Sequence, residues 1–527
     1  MVRVTTENTL ASTNAVYPTS ASTIKAYVNV EKFKKRYIGG TREEGNFTLG
    51  CLKLFHTRTR FVLVILVLLC LASVWSNILA FNFVIVCMNN EENVTMERAE
   101  GGSLVSSMPG LEVRGPLFTP QQRTYLTSAV AAAALVANFP LVSLVNRFGI
   151  RFIFTILGVL SSLATCLLPL AIIRGYYFSL GARVLQGISF AVSFPVIGAF
   201  TSQWTYYKQN GLFISVLVAY LQLSPALTMP LSGALCSSTF SWPSVCYSHG
   251  VVSLMLFIIF GIFFRDSPEK HPLVSEQERQ KIAVGKTECS RADINRIPYY
   301  EILKTGSVWA VWIAAVGNFT CVNMLFLYSP NYLHNVLGMR MADTGIAAAA
   351  PPLLQFMIKL AAGFSSDKLS FLVKCLSETG KLRLYNSIAF IGSALFLSIL
   401  SFIPAYHGYA ATVCLGFAAG FLGFTTGGFF KAAPLVSKHF SPFVTGNVSL
   451  GLDRIAGITI TMLVVPVMTW GLAPANDIVG WQKIFLTTAG VLLSTNFLFC
   501  FMCSAEPALW TTDEFVPAAL QFPLTSP

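Results

Sequence analysis

The chain has 527 residues, of which 54% are hydrophobic and only 11% are charged. A soluble core of this length cannot use so much apolar sequence, so the composition excludes an ordinary soluble protein. The formal net charge of +12 is compatible with nucleic-acid binding, but the basic residues are concentrated on one side of the predicted membrane topology. We therefore expect a protein embedded in a lipid bilayer, without nucleic acid as a partner.

Residues 1–60 form a polar amino-terminal tail, which is rich in Ser and Thr near its start and basic near its end. The tail contains no apolar stretch of the kind that a cleavable signal peptide requires. Its basic part, which includes Lys34 and Arg36, suits contact with anionic lipid headgroups. We expect this tail to be cytosolic.

Twelve apolar segments follow the tail, each long enough for a helix to cross most of the ~30 Å hydrocarbon layer. They are residues 61–88, 125–145, 152–173, 177–200, 211–235 and 250–264, and then 308–329, 344–364, 384–404, 410–430, 455–472 and 484–503. This spacing predicts an all-α membrane protein with a six-helix bundle at 61–265, a cytosolic linker at 266–305, a second six-helix bundle at 306–504 and a cytosolic tail at 505–527.

The distribution of basic residues predicts the orientation of these segments. Most of the 36 Lys and Arg residues fall on the side of the amino terminus, and the positive-inside rule places that side in the cytosol. The first outside loop, residues 89–122, contains the sequence Asn93-Val94-Thr95, which is a glycosylation acceptor. We therefore expect cytosolic termini and a glycan on Asn93. The plasma membrane and an intracellular vesicle or lysosome both stay open.

The 12 Cys residues lie mostly within the apolar segments. Their spacing contains no Cys-x-x-Cys pair and no Cys/His pattern that is typical of a metal site, so we expect neither a metal nor a cofactor. Cys236 and Cys246 differ from the others because both fall near the outside loop after the fifth segment. They form either a disulfide with each other or two unpaired thiols.

Related short sequences follow the second and the eighth apolar segments. They are Asn146-Arg147-Phe148-Gly149-Ile150-Arg151 and Gly363-Phe364-Ser365-Ser366-Asp367-Lys368. Both resemble the loop motif G-x-x-x-D-R-x-G-R-R of the major facilitator superfamily, although Val142 and Asn146 stand where the motif has Gly and Asp. The resemblance implies two repeated halves that alternate around a midplane cavity. It implies that the motif residues Arg147, Gly149, Arg151, Gly363, Asp367 and Lys368 control this conformational gating.

Further segments resemble the anion:cation symporter branch of that superfamily. They are Arg183-Val184-Leu185-Gln186-Gly187, Trp204, Met229 to Gly233, Asp266 to Pro272, Glu278, Ile297 to Tyr299 and Val308 to Ala310. The resemblance implies secondary active transport of a small solute, an organic anion or phosphate, coupled to a proton or sodium gradient. The chain departs from the branch at Ala80, Phe190 and Asn318, where members that move organic anions carry Arg, Glu and Arg. A binding or sensing membrane protein that has lost transport is therefore the alternative function.

Arg183 is a cation inside the fourth apolar segment, where a charge costs ~2.5 to 3.5 kcal/mol on insertion scales. It lies about six residues, or ~9 Å, from the outer end of the segment. A guanidinium that faces a cavity binds a carboxylate or phosphate in a bidentate manner, whereas one that faces away snorkels or braces neighbouring carbonyls. The resemblance favours Arg183 and Asn318 as substrate-binding residues.

Asp453 is the only carboxylate that we place in, or at the edge of, an apolar segment rather than in a loop. If it is buried, it can carry a coupling proton, but the 18 uncharged residues that follow Arg454 also allow it to lie at the inner membrane interface. His249, at an outer helix end, is interpreted as a surface residue rather than a proton relay. The sequence contains no catalytic triad and no nucleotide-binding motif, so we do not expect an enzyme.

Overall fold

The computed structural model describes residues 59–100, 118–205, 210–283, 299–372, 377–404, 406–437, 457–474 and 476–511. Every regular element in these ranges is helical. Ten of the helices in the described ranges are long and apolar enough to cross a membrane. The predicted all-α membrane fold is therefore confirmed.

The helices before the linker are α1 (Thr59–Glu100), α2 (Pro120–Phe148), α3 (Ile150–Arg174), α4 (Tyr176–Phe190), α5 (Ser193–Trp204), α6 (Asn210–Val218), α7 (Tyr220–Cys236) and α8 (Ser241–Phe263). Each of the first six predicted segments falls on one or two of these helices. The fourth segment is divided into α4 and α5 because Pro195 has no N–H to donate to the carbonyl of Ala191. The fifth segment is divided into α6 and α7.

The linker contains a 3₁₀ turn at Pro268–Lys270 and the helices α9 (Glu276–Ala283) and α10 (Tyr299–Lys304). The helices that follow are α11 (Gly306–Asn331), α12 (Met341–Leu372), α13 (Glu378–Ser401), α14 (Gly408–Phe421), α15 (Phe429–Ser437), α16 (Gly457–Leu472) and α17 (Ile478–Met502). A π turn at Tyr332–Val336 extends α11, and a 3₁₀ turn at Leu422–Gly427 joins α14 to α15. The last six predicted segments fall on these helices.

Helix α1 continues past the predicted end of its segment at Met88 and ends at Glu100. A helix that extends beyond the membrane is compatible with an outside segment that starts at residue 89, so that boundary stays a prediction. The added stretch contains Glu, Met, Arg and Ala and has no Gly or Pro before Gly101, so it favours a helix even though it is polar. Helix α2 then begins with a capping box, in which Thr119 and Gln122 exchange hydrogen bonds of 2.9 and 3.3 Å.

Two helix pairs join the parts of the chain that precede and follow the linker. Helix α7 packs along α12, and α2 packs along α16. At the first pair the backbones approach closely, because a Cβ added to Gly233 would lie 2.9 Å from the Cα of Gly345. Deeper along the same pair, Gln222 Nε2 donates to Gln355 Oε1 at 3.1 Å. We call the end that contains Thr59 the inner end, and the end that contains Cys87 the outer end.

Candidate functional site

Arg183 lies on α4 and its side chain is completely buried. Its Nε donates to the carbonyl of Leu126 on α2 at 3.1 Å, and its Nη1 donates to the carbonyl of Ile78 on α1 at 3.4 Å. Nη1 also donates to Gln186 Oε1 at 2.6 Å. The ring of Phe81 lies under the guanidinium, with its centroid 4.3 Å from Cζ. The side chain therefore braces three helices rather than snorkelling to the surface.

One nitrogen of this guanidinium keeps its donors unused. Nη2 of Arg183 is buried and has no hydrogen-bond partner among the residues that the structure describes. A guanidinium presents five N–H donors in a planar fork, and a buried donor without an acceptor costs free energy. Arg183 can therefore keep its hydrogen bonds to the two carbonyls and still donate from Nη2 to an anionic oxygen.

Tyr328, on α11, comes near the surroundings of Arg183 from the part of the chain that follows the linker. It lines a cavity together with Asn82 on α1. Asn82 directly follows Phe81, whose ring lies under the guanidinium.

A cavity of about 130 Å³ opens at the outer end of α1, α2, α11 and α16. Its polar lining includes Asn82, Arg123, Thr127, Tyr328, Asn331 and Thr469, and no Asp or Glu is among the residues that line it. Asn82 Nδ2 is buried and has no hydrogen-bond partner. The lining suits a small polar or anionic molecule. We call this space the outer cavity.

Asn318, the second predicted substrate-binding residue, is buried on α11, and its Oδ1 has no hydrogen-bond partner. It precedes Tyr328 on the same helix by about 15 Å of axial rise. Asn318 is not among the residues that line the outer cavity, whereas Tyr328 is. At the other two positions where the family carries a charge, this chain has apolar residues. Ala80 is buried, and the ring of Phe190 lies 5.0 Å from that of Trp75.

The first predicted gating sequence forms the tight connection between α2 and α3. Gly149 has a φ of 86°, which disfavours side chains with a Cβ, and an added Cβ would lie 2.7 Å from the Asp266 carboxylate. Asp266 Oδ1 accepts from the backbone N–H of Arg151 at 2.9 Å, and Arg151 Nε donates to the carbonyl of Gly261 at 2.8 Å. Arg147 is exposed and lies over the ring of Phe148. The gating role itself stays a prediction.

The second gating sequence lies within α12, which includes Gly363, Asp367 and Lys368. The side chains of these three residues lie outside the described part of the chain, as does all of Asp453. Asn93 falls within α1, and its side chain is likewise not described. Their predicted roles in gating, coupling and glycosylation stay predictions.

The linker folds back on the inner end of the first helices. Glu278 is buried, and its two carboxylate oxygens accept from the backbone N–H groups of Thr59 and Arg60 at 3.2 and 3.1 Å. A carboxylate at this position accepts hydrogen bonds from N–H groups in the first turn of α1. Its negative charge also interacts favourably with the positive end of the helix dipole. The His271 ring packs edge-on against Trp204, with centroids 5.6 Å apart. These residues of the family resemblance therefore join the linker to α1 and α5.

Residues 63–449 match the family model described as Major Facilitator Superfamily. This match covers more than half of the chain. The chain belongs to the Major Facilitator Superfamily. The superfamily fold that the loop sequences predicted is thereby confirmed.

Relatives of this superfamily member come from the anion:cation symporter branch, which confirms the resemblance. Sialin of Homo sapiens is 26% identical over 367 residues, which cover 68% of this chain and 70% of sialin. Sodium-dependent phosphate transport protein 1 of Mus musculus is 23% identical over 458 residues, 86% of this chain and 95% of that protein. Vesicular glutamate transporter 3 of Danio rerio is 24% identical over 384 residues, 72% of this chain and 63% of that protein.

Solved structures show the same superfamily fold. A bacterial homolog of the human lysosomal transporter Spinster, in an inward-facing and unoccupied conformation, has a TM-score of 0.62 and 12% identity, and the match covers 84% of this chain and 97% of that one. A D-xylose-proton symporter has a TM-score of 0.56 and 13% identity, and the match covers 84% of this chain and 99% of that one. This superfamily member is accordingly a multi-pass membrane protein.

Neither alternative for Cys236 and Cys246 is fully correct, because the two are not paired with each other and only Cys246 is an unpaired thiol. Cys236 forms a disulfide with Cys87, and their Cα atoms are 6.1 Å apart. Cys246 is a free, buried thiol. The outer end of α7 meets the outer end of α1, whereas Cys246 is turned towards the buried cluster around Phe81 and Leu126. Proximity along the chain was therefore a poor guide to the partner.

The interpretation of His249 as a surface residue is also wrong. The side chain is 8% exposed, its Nδ1 lies 3.0 Å from Ser76 Oγ and its Nε2 lies 3.4 Å from Ser232 Oγ. Both nitrogens are thus occupied by hydroxyl groups of α1 and α7, which explains how a His is accommodated among these superfamily helices.

Sequence reasoning missed Tyr328, Asn82 and Arg123 at the outer cavity. Arg123 falls between the predicted outside loop at 89–122 and the second apolar segment. It lies in the first turn of α2, and its Nε donates to the carbonyl of Phe118 at 3.0 Å. Tyr328 carries no charge and belongs to no motif. The sequence feature that could have identified them is their position near the outer ends of apolar segments, where helices from both halves of a superfamily member meet.

Proposed function

We propose that this chain carries a small anionic solute across a membrane by alternating access, and that Arg183 binds the anion. The observation that carries the proposal is the buried Nη2 of Arg183, which has no hydrogen-bond partner. A guanidinium held by two backbone carbonyls is preorganised, so an anion gains its hydrogen bonds without ordering a flexible side chain.

The electrostatics of the outer cavity support the same solute class. The described residues that line the cavity include Arg123 and no carboxylate. A cation in a cavity with low-dielectric walls raises the local concentration of anions. The names of the relatives include phosphate and glutamate, both of which present anionic oxygens. An organic anion or phosphate is therefore the proposed solute, and the chain acts as a transporter rather than an enzyme.

The helices around Arg183 and the outer cavity suit alternating access. The outer cavity is lined by α1 and α2, which precede the linker, and by α11 and α16, which follow it. A solute between these two sets is released on one side when they separate there and close at the opposite end.

The decisive experiment measures uptake of phosphate, organic anions and neutral solutes into vesicles that contain the purified chain, under imposed proton and sodium gradients. Arg183→Ala should nearly abolish anion uptake, and Arg183→Lys should weaken affinity because an ammonium cannot reproduce the planar fork. Arg340→Ala is the matched control, since Arg340 is 86% exposed and should leave uptake unchanged.

Normal anion uptake by a folded Arg183→Ala variant would overturn the anion site. A non-transporting binding or sensing protein remains the second candidate, because Ala80 and Phe190 replace two family charges with apolar contacts. Bound solute without flux in the same vesicles would favour that function.

Coupling to a proton gradient is proposed to use Asp453. Asp453→Asn should remove the dependence of uptake on the pH gradient and leave solute exchange intact, because exchange does not require the carboxylate to lose its proton in each cycle. An unchanged dependence on the pH gradient would assign Asp453 to the membrane interface, and a dependence on sodium alone would replace the proton as the coupling ion.

A further inference from the structure

Lys359 is a cation within the part of α12 that is apolar enough to cross the membrane, Met341–Ala362. At about 100° per residue, Lys359 falls within about 60° of Thr344, Ala348 and Gln355 on the helix surface. Those three side chains are no more than 3% exposed. The exposed large side chains of α12 lie on the opposite face, and they are Ile346, Leu353, Met357 and Leu360. Lys359 therefore faces the helix bundle rather than the lipid.

The ammonium of Lys359 lies away from the membrane surface. Its Nζ is 5.4 Å from the centroid of the Phe430 ring on α15, and Phe430 precedes the inner end of α15 at Ser437 by about 10 Å of axial rise. A snorkelling Lys extends along lipid to the headgroups, whereas this side chain lies between α12 and α15. Lys359 is partly exposed, and on its inward face that exposure is to the space between the helices.

The charge of Lys359 is not balanced within the described part of the chain. No ion pair among the described residues includes Lys359, and the contact of its ammonium there is the face of the Phe430 ring. A cation within a span is costly unless it is paired, and an aromatic ring is a weaker partner than a charge-assisted hydrogen bond. An anion at Nζ would supply the stronger interaction.

Gln355 precedes Lys359 by one turn on the same face of α12. It accepts from Gln222 Nε2 on α7 at 3.1 Å, so this face meets the part of the chain that precedes the linker. Gln222 is 4% exposed, and its Oε1 has no hydrogen-bond partner among the described residues. A buried acceptor without a donor costs free energy. The contact between α7 and α12 therefore offers an unused acceptor about one turn from the cation.

The ammonium of Lys359 and the oxygen of Gln222 require different groups from a ligand. Nζ needs an anionic oxygen, and Oε1 needs an N–H or O–H donor. A hydroxy acid or an amino acid carries both groups on separate atoms. A carboxylate without a hydroxyl or amine would satisfy Lys359 alone.

We propose that Lys359 is a second anion-binding residue, and that the solute is an organic anion whose hydroxyl or amine donates to Gln222 Oε1. Arg183 lies on α4, before the linker, and Lys359 lies on α12, after it, so each part of the chain contributes one cation. This inference rests on the proposed function, transport of a small anion. It narrows the solute from organic anions and phosphate to organic anions that carry a donor.

The first test measures uptake of glutarate, 2-hydroxyglutarate and phosphate into vesicles that contain the purified chain. Lys359→Met removes the charge and keeps an unbranched side chain. It should reduce uptake of 2-hydroxyglutarate at least about tenfold, as expected for the loss of a charge-assisted hydrogen bond, and Lys359→Arg should restore part of it. Lys304→Met is the control, because Lys304 is exposed at the end of α10 and should leave uptake unchanged.

Two further measurements separate binding from helix packing. Phe430→Leu removes the ring beside the ammonium but keeps the charge, so it should reduce uptake far less than Lys359→Met. The thermal midpoint of Lys359→Met should not fall, because replacing a charge without a charged partner by an apolar side chain removes a desolvation cost.

The second test concerns the donor on the solute. Gln222→Leu and Gln355→Leu both break the hydrogen bond between α7 and α12, but only Gln222→Leu removes the unpartnered Oε1. The native chain and Gln355→Leu should take up 2-hydroxyglutarate faster than glutarate. In Gln222→Leu the ratio of the two rates should fall towards one.

Normal uptake of 2-hydroxyglutarate by a folded Lys359→Met variant would overturn the second anion-binding residue, even if Arg183→Ala abolishes uptake. Loss in Lys359→Met with normal uptake in Arg183→Ala would support Lys359 and contradict the proposed role of Arg183. A lower thermal midpoint for Lys359→Met, or an equal loss of uptake in Phe430→Leu, would assign Lys359 to helix packing.

The solute class has its own outcomes. Equal uptake of glutarate and 2-hydroxyglutarate by the native chain, or uptake of phosphate alone, would overturn it. Uptake of none of the three would also overturn it, while uptake of another anion would leave the proposed function standing.

Discussion

The carboxylates at the inner end of the helices that precede the linker and the nitrogens of Arg183 and Asn82 at the outer end differ in their hydrogen bonding. At the inner end, the carboxylates of Asp266 and Glu278 accept backbone N–H groups at the starts of α3 and α1. At the outer end, Arg183 and Asn82 each keep a buried nitrogen without a partner. Paired groups stabilise one arrangement, whereas unpaired donors are available to a ligand. We therefore expect the two carboxylates at the inner end to stabilise the fold, and we propose that the donors of Arg183 and Asn82 bind a ligand.

The largest effect on stability is expected from replacing Glu278 at the inner end. Glu278→Gln removes the charge and leaves one carbonyl acceptor for the two N–H groups of α1. Hydrogen bonds to charged groups contribute about 1.5–3 kcal/mol each, so the thermal midpoint of the purified protein should fall clearly. Glu276→Gln on the same helix is the control, because the pair that Glu276 makes with Arg279 is exposed and should contribute little. Equal midpoints for both variants would contradict the assignment.

The connection between α2 and α3 provides the second test. Gly149→Ala places a Cβ at a φ of 86° and within 2.7 Å of the Asp266 carboxylate, and backbone strain of this kind alone costs about 1–3 kcal/mol. Gly175→Ala is the matched control, since Gly175 has a φ of 117° and no atom within 4 Å of its added Cβ. The thermal midpoint should fall further for Gly149→Ala. Equal losses would mean that the contact with Asp266 contributes nothing.

The outer end should respond in the opposite direction. Asn82→Leu removes a buried donor that has no partner, so stability should stay constant or rise by up to about 1 kcal/mol, while anion uptake falls. Asn77→Leu on the same helix should instead lower stability, because Asn77 Nδ2 donates to Ser161 and Ser253, each at 3.1 Å. Loss of stability without loss of uptake for Asn82→Leu would assign Asn82 to the structural core.

The smallest effect is expected from the pH dependence of the inner end. Burial and the nearby Arg265 lower the pKa of His271, and His271 Nδ1 accepts from the backbone N–H of Leu273 at 3.2 Å. The folded state therefore binds fewer protons than the unfolded state, and the contribution of His271 is complete above about pH 6.5 and declines as the pH falls below it. His271→Phe should reduce the loss of thermal midpoint between neutral and mildly acidic pH. An identical loss would exclude His271 as a cause.

The sequence by itself determined the class of this protein. Runs such as residues 61–88 must cross the bilayer as helices because hydrocarbon leaves no other partner for their backbone groups. The cost of a charge in a span also singled out Arg183 before any contact was known. The segments from Asp266 to Glu278 identified the family branch, although their physical task of capping α1 and α3 could not be derived from their order.

Only the tertiary structure decided which residues meet. Cys236 pairs with Cys87, at a sequence separation of 149 residues, rather than with Cys246. Tyr328 rather than Asn318 lines the outer cavity, and His249 is enclosed by hydroxyl groups of α1 and α7. Apolar runs fix where a helix crosses the membrane, but in lipid every face of such a helix is apolar, so hydropathy leaves its rotation undetermined. Helix packing sets that rotation, and with it the Cys87–Cys236 disulfide and the contacts of Arg183.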